Sequence, residues 1–432
     1  MLTVLFITLA ICMLLTVPIA VAIAISTIVG FMVFHPGTPM FNLLAQAMVT
    51  SADSFPLMAV PAFMLVGTLM GKGGIADSLV GLAEGVTRKM PGGLGMAGIV
   101  ASMFFAAISG SGPAIVAAIG SILIPQMSKR NYPPAYSAAL LAAASIIGVV
   151  IPPSIPLIMF GVVAGASVTK LFIGGIIPGL LMGVGLIIVN YLVCKKKGYG
   201  VVSLEMQELE QQEKVSVGRQ LWNAKWALFM PILILGGIYA GIFTPTESAV
   251  VGSVYALLVG LLVSKSLNWQ GIKESLIEAS LLSAIIMFLI GGSLTFGRLL
   301  TMEHIPERIA NTLFEISSNG IVIMLLIMLF LLITGMFIDT ISNIILFTPI
   351  FLPVIIQLGY DPVYFGVLMT INLAIGYLTP PVGVSLFVAQ GVAKVPFESI
   401  VRQVMPFLVI LLVLLLLFLL FPSIIMVLPN ML

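Results

Sequence analysis

Ser109-Gly110-Ser111-Gly112-Pro113 and, further along, Ile151-Pro152-Pro153-Ser154-Ile155-Pro156 decide how this chain is read. Both clusters interrupt apolar runs of membrane-spanning length, where Gly and Pro do not sustain a helix. Backbone groups freed at such depth survive only where they are buried in protein or line a cavity. The stretch from Phe104 to Phe160 is therefore a candidate binding site on its residues alone.

Outward from this stretch the 432 residues are 60% hydrophobic and 8% charged, with a mean hydropathy of +1.23. Soluble domains carry about a quarter of charged residues, so the chain is read as an all-α polytopic membrane protein embedded in the lipid bilayer. A net charge of +2 gives no reason to expect a nucleic-acid partner. Cys12 and Cys194 stand far apart and are read as buried free thiols; His35 and His304 are isolated as well. No metal cluster, nucleophile with its base or paired carboxylates can be assembled, which argues against an enzyme. Gly67-Thr-Leu-Met-Gly71-Lys72-Gly73 resembles a phosphate loop but is one residue short and ends without Ser or Thr. Gly175, Gly179 and Gly183 form a ridge of the kind used for helix packing.

Apolar runs of about twenty residues predict nine crossings, near 2–34, 55–70, 135–165, 171–193, 226–243, 247–264, 277–300, 363–393 and 404–428. The first is expected to be one retained helix bent near Pro18, too long for a signal-peptide core and without a cleavage site. Two further runs, 94–127 and 319–357, are interrupted at Ser109–Pro113 and near Asp339–Asn343. Arg88, Lys89, Lys129 and Arg130 flank the first; Glu303, Glu307, Glu315 and Asp361 flank the second. By the positive-inside rule each enters and leaves on one side, as a re-entrant hairpin, the first from the cytoplasm and the second from outside. The threading places the N-terminus in the cytoplasm and the C-terminus outside. All Lys and Arg except Lys170, Arg298 and Arg308 then fall inside, 15 of 18. Between Cys194 and Lys225 a polar insertion carrying Glu205, Glu208, Glu210 and Glu213 is expected to be a cytoplasmic surface helix.

Sliding the chain by 228 residues matches ten of the 32 positions from Ile122 to Pro153, including Pro125 with Pro353, Tyr136 with Tyr364, Gly148 with Gly376 and Pro152-Pro153 with Pro380-Pro381. Five crossings separate the hairpins, so the second copy is inverted. The fold class follows: an inverted repeat with two re-entrant helical hairpins and two broken transmembrane helices. The predicted organisation is 1–93 scaffold helices of repeat 1, 94–165 hairpin and broken helix, and 166–246 closing helix, linker and connector. Repeat 2 follows with 247–318 scaffold helices, 319–393 hairpin and broken helix, and 394–432 closing helix.

Such broken helices present positive half-helix ends to anions and unwound carbonyls to sodium. Tip Ser109–Pro113 is expected to face break Gly148–Pro153, and tip Asp339–Asn343 to face Gly376–Pro381. Candidate sodium ligands are Ser109, Ser111, Gly148 and Ile151 in one unit and Gly335, Asp339, Gly376 and Thr379 in the other, since a hard cation takes oxygen. Candidate substrate-binding residues are Arg298, Asp339 and Ser111. Arg298 either holds a carboxylate or reaches to the interface; Asp339 ligates sodium, pairs with Arg298 or caps the tip. Glu247, in Thr244-Pro-Thr-Glu247, reads as the first turn of a helix.

Ser-Gly-Ser-Gly-Pro-Ala (109–114), Gly-Val-Val-Ile-Pro-Pro-Ser (148–154), Phe-Ile-Asp-Thr (337–340) and Gly-Tyr-Leu-Thr-Pro-Pro-Val-Gly (376–383) together resemble the large membrane subunit of tripartite ATP-independent periplasmic (TRAP) transporters. The resemblance covers essentially the whole chain. It implies an ion-transporter-superfamily fold, elevator-type motion and sodium-coupled uptake of an organic acid, a C4-dicarboxylate or sialic acid, across the bacterial inner membrane with the C-terminus periplasmic. It also implies two partners, a small four-helix membrane subunit and a periplasmic substrate-binding protein. With no helices before Leu2, the small subunit is expected to be separate. The alternative is a standalone carboxylate carrier or anion exporter of the same superfamily.

Overall fold

The computed structural model describes residues 2–35, 42, 44–46, 49–50, 55–87, 90–200 and 217–431. Arg88, Lys89 and Lys214, which entered the sidedness argument, and Glu205, Glu208, Glu210 and Glu213 of the polar insertion lie outside these residues. No strand occurs among the described residues.

The first predicted crossing is corrected. Leu2–Leu14 and Ile19–Phe34 are separate helices, joined through Thr16 at φ 59°. Ser26 Oγ donates to Leu5 O at 2.7 Å, which requires the second helix to run back along the first. Pro18, which has no N–H to donate, stands at the turn as the N-cap of the second helix. A stretch that folds back returns to its starting side, so the inference of a cytoplasmic N-terminus, built on a single crossing, loses its basis.

The long helix Trp269–Met302 serves as a ruler of about 50 Å. Near its start Glu274 pairs with Lys72 at 3.0 Å; just past its end Glu303 pairs with His35 at 2.7 Å. Short amphipathic helices leave from these two levels. Ile75–Thr87 follows Lys72 and Ile305–Ile316 follows Glu303. Both were too short and too mixed in polarity to register as crossings. Each leads into a hairpin, so the hairpins enter from opposite ends of the ruler, as the inverted repeat requires.

Hairpin 1 is Gly93–Ser109 returning as Gly112–Lys129, and Arg130 at its exit meets Glu84 near its entry at 2.7 Å. Hairpin 2 is Gly320–Gly335 returning as Thr340–Gln357. It closes where Gly320 packs near Leu358 and Tyr360. Broken helix 1 runs Pro134–Ser145 and Ile147–Val150, then resumes as Ile155–Ala164. Broken helix 2 runs Pro362–Gly376 and resumes as Val384–Ala393. The peptide bonds Pro152-Pro153 and Pro380-Pro381 are both cis, a structural match between the repeats. The two units interlock: the second half of broken helix 2 packs on hairpin 1 and broken helix 1, while Ile155–Ala164 packs on the return arm of hairpin 2.

Around this block Ala59–Lys72, Pro245–Leu258, Trp269–Met302 and the N-terminal helix pair pack mainly on one another. The Gly175–Gly183 ridge on the closing helix Val168–Lys197 faces inward, against Val150 O, Ile151 and Met103. Glu247 completes a capping box, with Glu247 N donating to Thr244 Oγ1 at 3.2 Å and Thr244 N to Glu247 Oε2 at 2.8 Å. Cys12 and Cys194 are buried free thiols.

Candidate functional site

At hairpin 1 the turn is made by Gly110 at φ 60°, in the left-handed region that glycine enters without steric cost. A Cβ on Gly110 would lie 2.6 Å from Pro153 O, and one on Gly112 would lie 3.2 Å from Ser145 O. The tip therefore touches break 1, with Ser109 buried and Ser111 half-buried. Gly148 faces both hairpin arms through Ala106 and Ile115, and Ile151 N donates to Ile147 O at 2.8 Å. Ser109, Ser111 and Gly148 thus lie at one junction, while Ile151, in the same break, packs on Gly179 of the closing helix. A scaffold glycine joins them: a Cβ on Gly67 would lie 3.2 Å from Ser109 Cα, which gives the phosphate-loop lookalike a packing role. Ser111 is extended and its side chain makes no capping bond to the return arm.

At hairpin 2 the approach is backbone to backbone. A Cβ on Gly376 would lie 2.6 Å from Gly335 C and O. Asp339 caps the return arm, accepting from Ser342 N at 2.9 Å and also from Ser342 Oγ. Thr340 N donates to the Tyr377 hydroxyl at 2.8 Å, and Asn343 Nδ2 donates to Ile338 O at 2.8 Å and Asp339 O at 3.1 Å. Thr379 Oγ1 donates back to Ile375 O at 2.9 Å. Gly335, Asp339, Gly376 and Thr379 are therefore gathered at the second tip and break.

On the return arm of hairpin 2 and on broken helix 2, three side-chain oxygens are buried without a protein partner: Thr340 Oγ1, Asn343 Oδ1 and Asn372 Oδ1. A buried polar atom left unpaired costs about 1–3 kcal/mol. Neutral oxygens of this kind suit a hard cation. Asn372, whose Nδ2 donates to Met328 O at 2.7 Å, was not singled out from sequence, nor were Ser145, Tyr377 and Ser385. The signal was present as lone polar residues inside apolar helices.

Arg298 is placed elsewhere. It is exposed on the wall of a cavity of about 620 Å³, with Ser293, Gly297, Thr301, Ile345 and Pro349 among its neighbours. Its expected pairing with Asp339 is not formed. Asp339 is engaged by Ser342, and Ile345 and Pro349 lie about two to three turns along the return arm from it. The three candidate substrate residues are thus split between a half-open cavity and the two tips.

A family model described as the Tripartite ATP-independent periplasmic transporter, DctM component, matches residues 6–424. The chain belongs to this family. Among relatives of the large permease, the isethionate TRAP transporter permease protein DctMQ of Oleidesulfovibrio alaskensis is 42% identical over 94% of the chain. The chain spans 63% of that relative's length. The sialic acid TRAP transporter large permease protein SiaM of Vibrio cholerae is 38% identical over 90% of each chain. The C4-dicarboxylate TRAP transporter large permease protein DctM of Pseudomonas aeruginosa is 37% identical over 95% of this chain and 94% of its own. The solved YdaH transporter of Alcanivorax borkumensis has a TM-score of 0.66 at 15% identity, covering 89% of each chain, and shares the fold. A TRAP large permease is a membrane transport protein and not an enzyme.

Proposed function

We propose that this permease carries an organic anion into the cell across the inner membrane, coupled to sodium. It takes the anion from a periplasmic binding protein and works beside a small membrane subunit. The observation that supports sodium coupling is that Thr340 and Asn343 on the hairpin 2 return arm and Asn372 on broken helix 2 each carry a buried oxygen without a protein partner. An oxygen left unpaired in such a place is costly, and a cation would pair it. The anion belongs nearer the first tip. There the N-terminus of Gly112–Lys129 has no side-chain cap, and its partial positive charge favours an anion. Arg298 supplies a guanidinium on the cavity wall between the scaffold helix and hairpin 2, a place for the anion on its way in or out.

The two hairpins and two broken helices form the moving body of an elevator, and the helices around Trp269–Met302 form the fixed frame. Two sodium ions carried with a monoanion would move one net charge, worth about 2.3 kcal/mol per 100 mV. The relatives' cargoes are isethionate, sialic acid and C4-dicarboxylates. They have an acidic group in common, so the substrate class is an organic acid, and a sulfonate joins the carboxylates as a candidate.

The test is uptake into proteoliposomes holding the permease and its small subunit, with binding protein outside and an imposed sodium gradient. Uptake that requires both the gradient and the binding protein supports the reading. Uptake indifferent to sodium overturns the coupling, and uptake without the soluble protein favours the standalone carrier.

A further inference from the structure

A second cavity, of about 330 Å³, lies at the seam between hairpin 2 and the helices beside it. Phe6 of the first N-terminal helix forms one side, and Ile309 and Leu313 of the amphipathic helix Ile305–Ile316 form another. Hairpin 2 supplies the third, through Phe330 on its outgoing arm and Phe347 and Phe351 on its return arm. These rings meet edge to face, Phe330 with Phe347 at 5.0 Å between centroids and with Phe351 at 5.6 Å. At the positions 228 residues earlier the return arm of hairpin 1 has Ile119 and Leu123, and Leu123 packs toward Gly98 on the arm opposite. Bulkier rings thus stand between the arms of hairpin 2, which touch each other less than those of hairpin 1.

Every side chain lining this cavity is apolar, so water would find no hydrogen-bond partner inside it. Its surroundings identify the apolar phase that reaches it. Phe330 is exposed, as are Leu325 and Leu329 next to it, on a helix without a charged residue, and such a surface on a membrane protein meets acyl chains. Helix Ile305–Ile316 fixes the depth. Its Ile305, Pro306 and Ala310 are buried, while Glu307, Arg308 and Glu315 are exposed. A two-faced helix of this kind lies at the boundary between headgroups and acyl chains, so the cavity under its apolar side opens into the start of the acyl-chain layer. Arg308 is the only base on this helix. It has no ion pair among the described residues, whereas Glu307 is taken by His304 at 2.6 Å and Glu315 lies about two turns away.

We propose that this seam is a binding site for one acyl chain of a membrane phospholipid, whose phosphate is held by Arg308 at the level of the headgroups. A guanidinium matches a phosphate in both shape and charge. The chain completes the packing of hairpin 2 against Phe6 and the amphipathic helix. It stabilises the folded permease, because the unfolded chain has no such seam to bind it. The site depends on neither the cargo nor the coupling ion.

The test uses the permease purified in detergent with its small subunit, and phosphatidylethanolamine bearing a photoreactive group at the end of one acyl chain. Crosslinks are expected on hairpin 2 around Leu326 and Phe330, which line the cavity, and should persist when bulk lipid is diluted out with detergent. Unlabelled phosphatidylethanolamine should raise the melting temperature of wild type. Leu326→Trp fills the seam, so it should lose the crosslink, melt higher than wild type without lipid and no longer respond to lipid. Leu313→Phe fills the same space from the opposite side and serves if the tryptophan is not accommodated. Arg308→Gln leaves the packing alone: its lipid-free melting temperature should match wild type while its affinity for the lipid falls about tenfold. Arg308→Lys should recover part of that loss. Crosslinks spread evenly over the lipid-facing helices, Phe397–Leu420 included, overturn the site in favour of ordinary annular lipid. Equal stabilisation by lipid in wild type, Leu326→Trp and Arg308→Gln overturns it as well. Labelling that appears only once the small subunit is removed overturns it too and assigns the seam to that subunit.

Discussion

At the first hairpin tip the return arm begins at Gly112 with no side chain capping it. At the second, Asp339 accepts from Ser342 N and the Tyr377 hydroxyl accepts from Thr340 N. The equivalent positions, 228 residues earlier, are Ser111 and Val149. One tip thus leaves its helix dipole open, and the other fills it with a carboxylate and a phenol while leaving neutral oxygens unpaired behind. A duplicated fold has supplied two places of the same shape, and two substitutions have given them opposite electrostatic preference. On the proposed reading the first takes the anion and the second a cation.

The largest effect expected from breaking this comparison lies in the glycines that let each tip approach its break. Gly376→Ala would drive a Cβ into the Gly335 backbone at 2.6 Å, and backbone atoms there cannot step aside. A loss of about 3 kcal/mol is expected, at the upper end for overpacking. The equivalent Gly148→Ala meets the tip of the Ile115 side chain, which can turn, so about 1 kcal/mol is expected. Paired thermal or denaturant unfolding measurements check the order; equal losses would mean that the tips are equally close-packed.

Exchanging the electrostatics is the next largest change. Ser111→Asp gives the first tip the cap of the second and should stabilise the fold by about 1 kcal/mol, yet place a carboxylate where the anion is to bind. Uptake should fall at least tenfold while stability rises, an opposition that no folding defect produces. Asp339→Ala should lose about 1 kcal/mol of capping together with sodium-dependent stabilisation. If Ser111→Asp transports normally, the assignment of the anion to the first tip is wrong.

Tyr377→Phe isolates one contact. It removes the acceptor of Thr340 N and should cost about 1 kcal/mol, whereas Val149→Ala at the equivalent place removes packing and no hydrogen bond. Amide hydrogen exchange separates the two: faster exchange at Thr340 is expected in Tyr377→Phe, without a counterpart at Gly112.

The broken helices, both hairpins and their pairing were legible because Gly and Pro inside apolar runs have few alternatives. The Pro-Pro matches also place the second unit from sequence alone. Hydropathy counts length, however, and cannot see that Ser26 reaches Leu5, so one long apolar stretch was read as one crossing. Helices Ile75–Thr87 and Ile305–Ile316 escaped for the converse reason, being short and two-faced. Ser145 and Ser385 lie 240 residues apart in sequence. No local pattern announces a contact between two ordinary serines.

Arg298 tests how far the difference between the tips extends into the frame. The pairing with Asp339, one of the roles open to that carboxylate, is not formed, and Arg298 borders a cavity shared with hairpin 2 through Gly297 and Pro349. Being exposed and without an ion pair among the described residues, it can be changed at little structural cost, within about 0.5 kcal/mol for Arg298→Gln. A guanidinium that meets the anion only in passing should raise the KM for uptake several-fold and leave sodium binding untouched. A guanidinium belonging to the cation tip would change sodium affinity instead. Arg298→Lys sharpens the result, since a point charge supports passage but not a bidentate grip. Full rescue by lysine assigns the cavity to steering, and failure of rescue assigns it to binding.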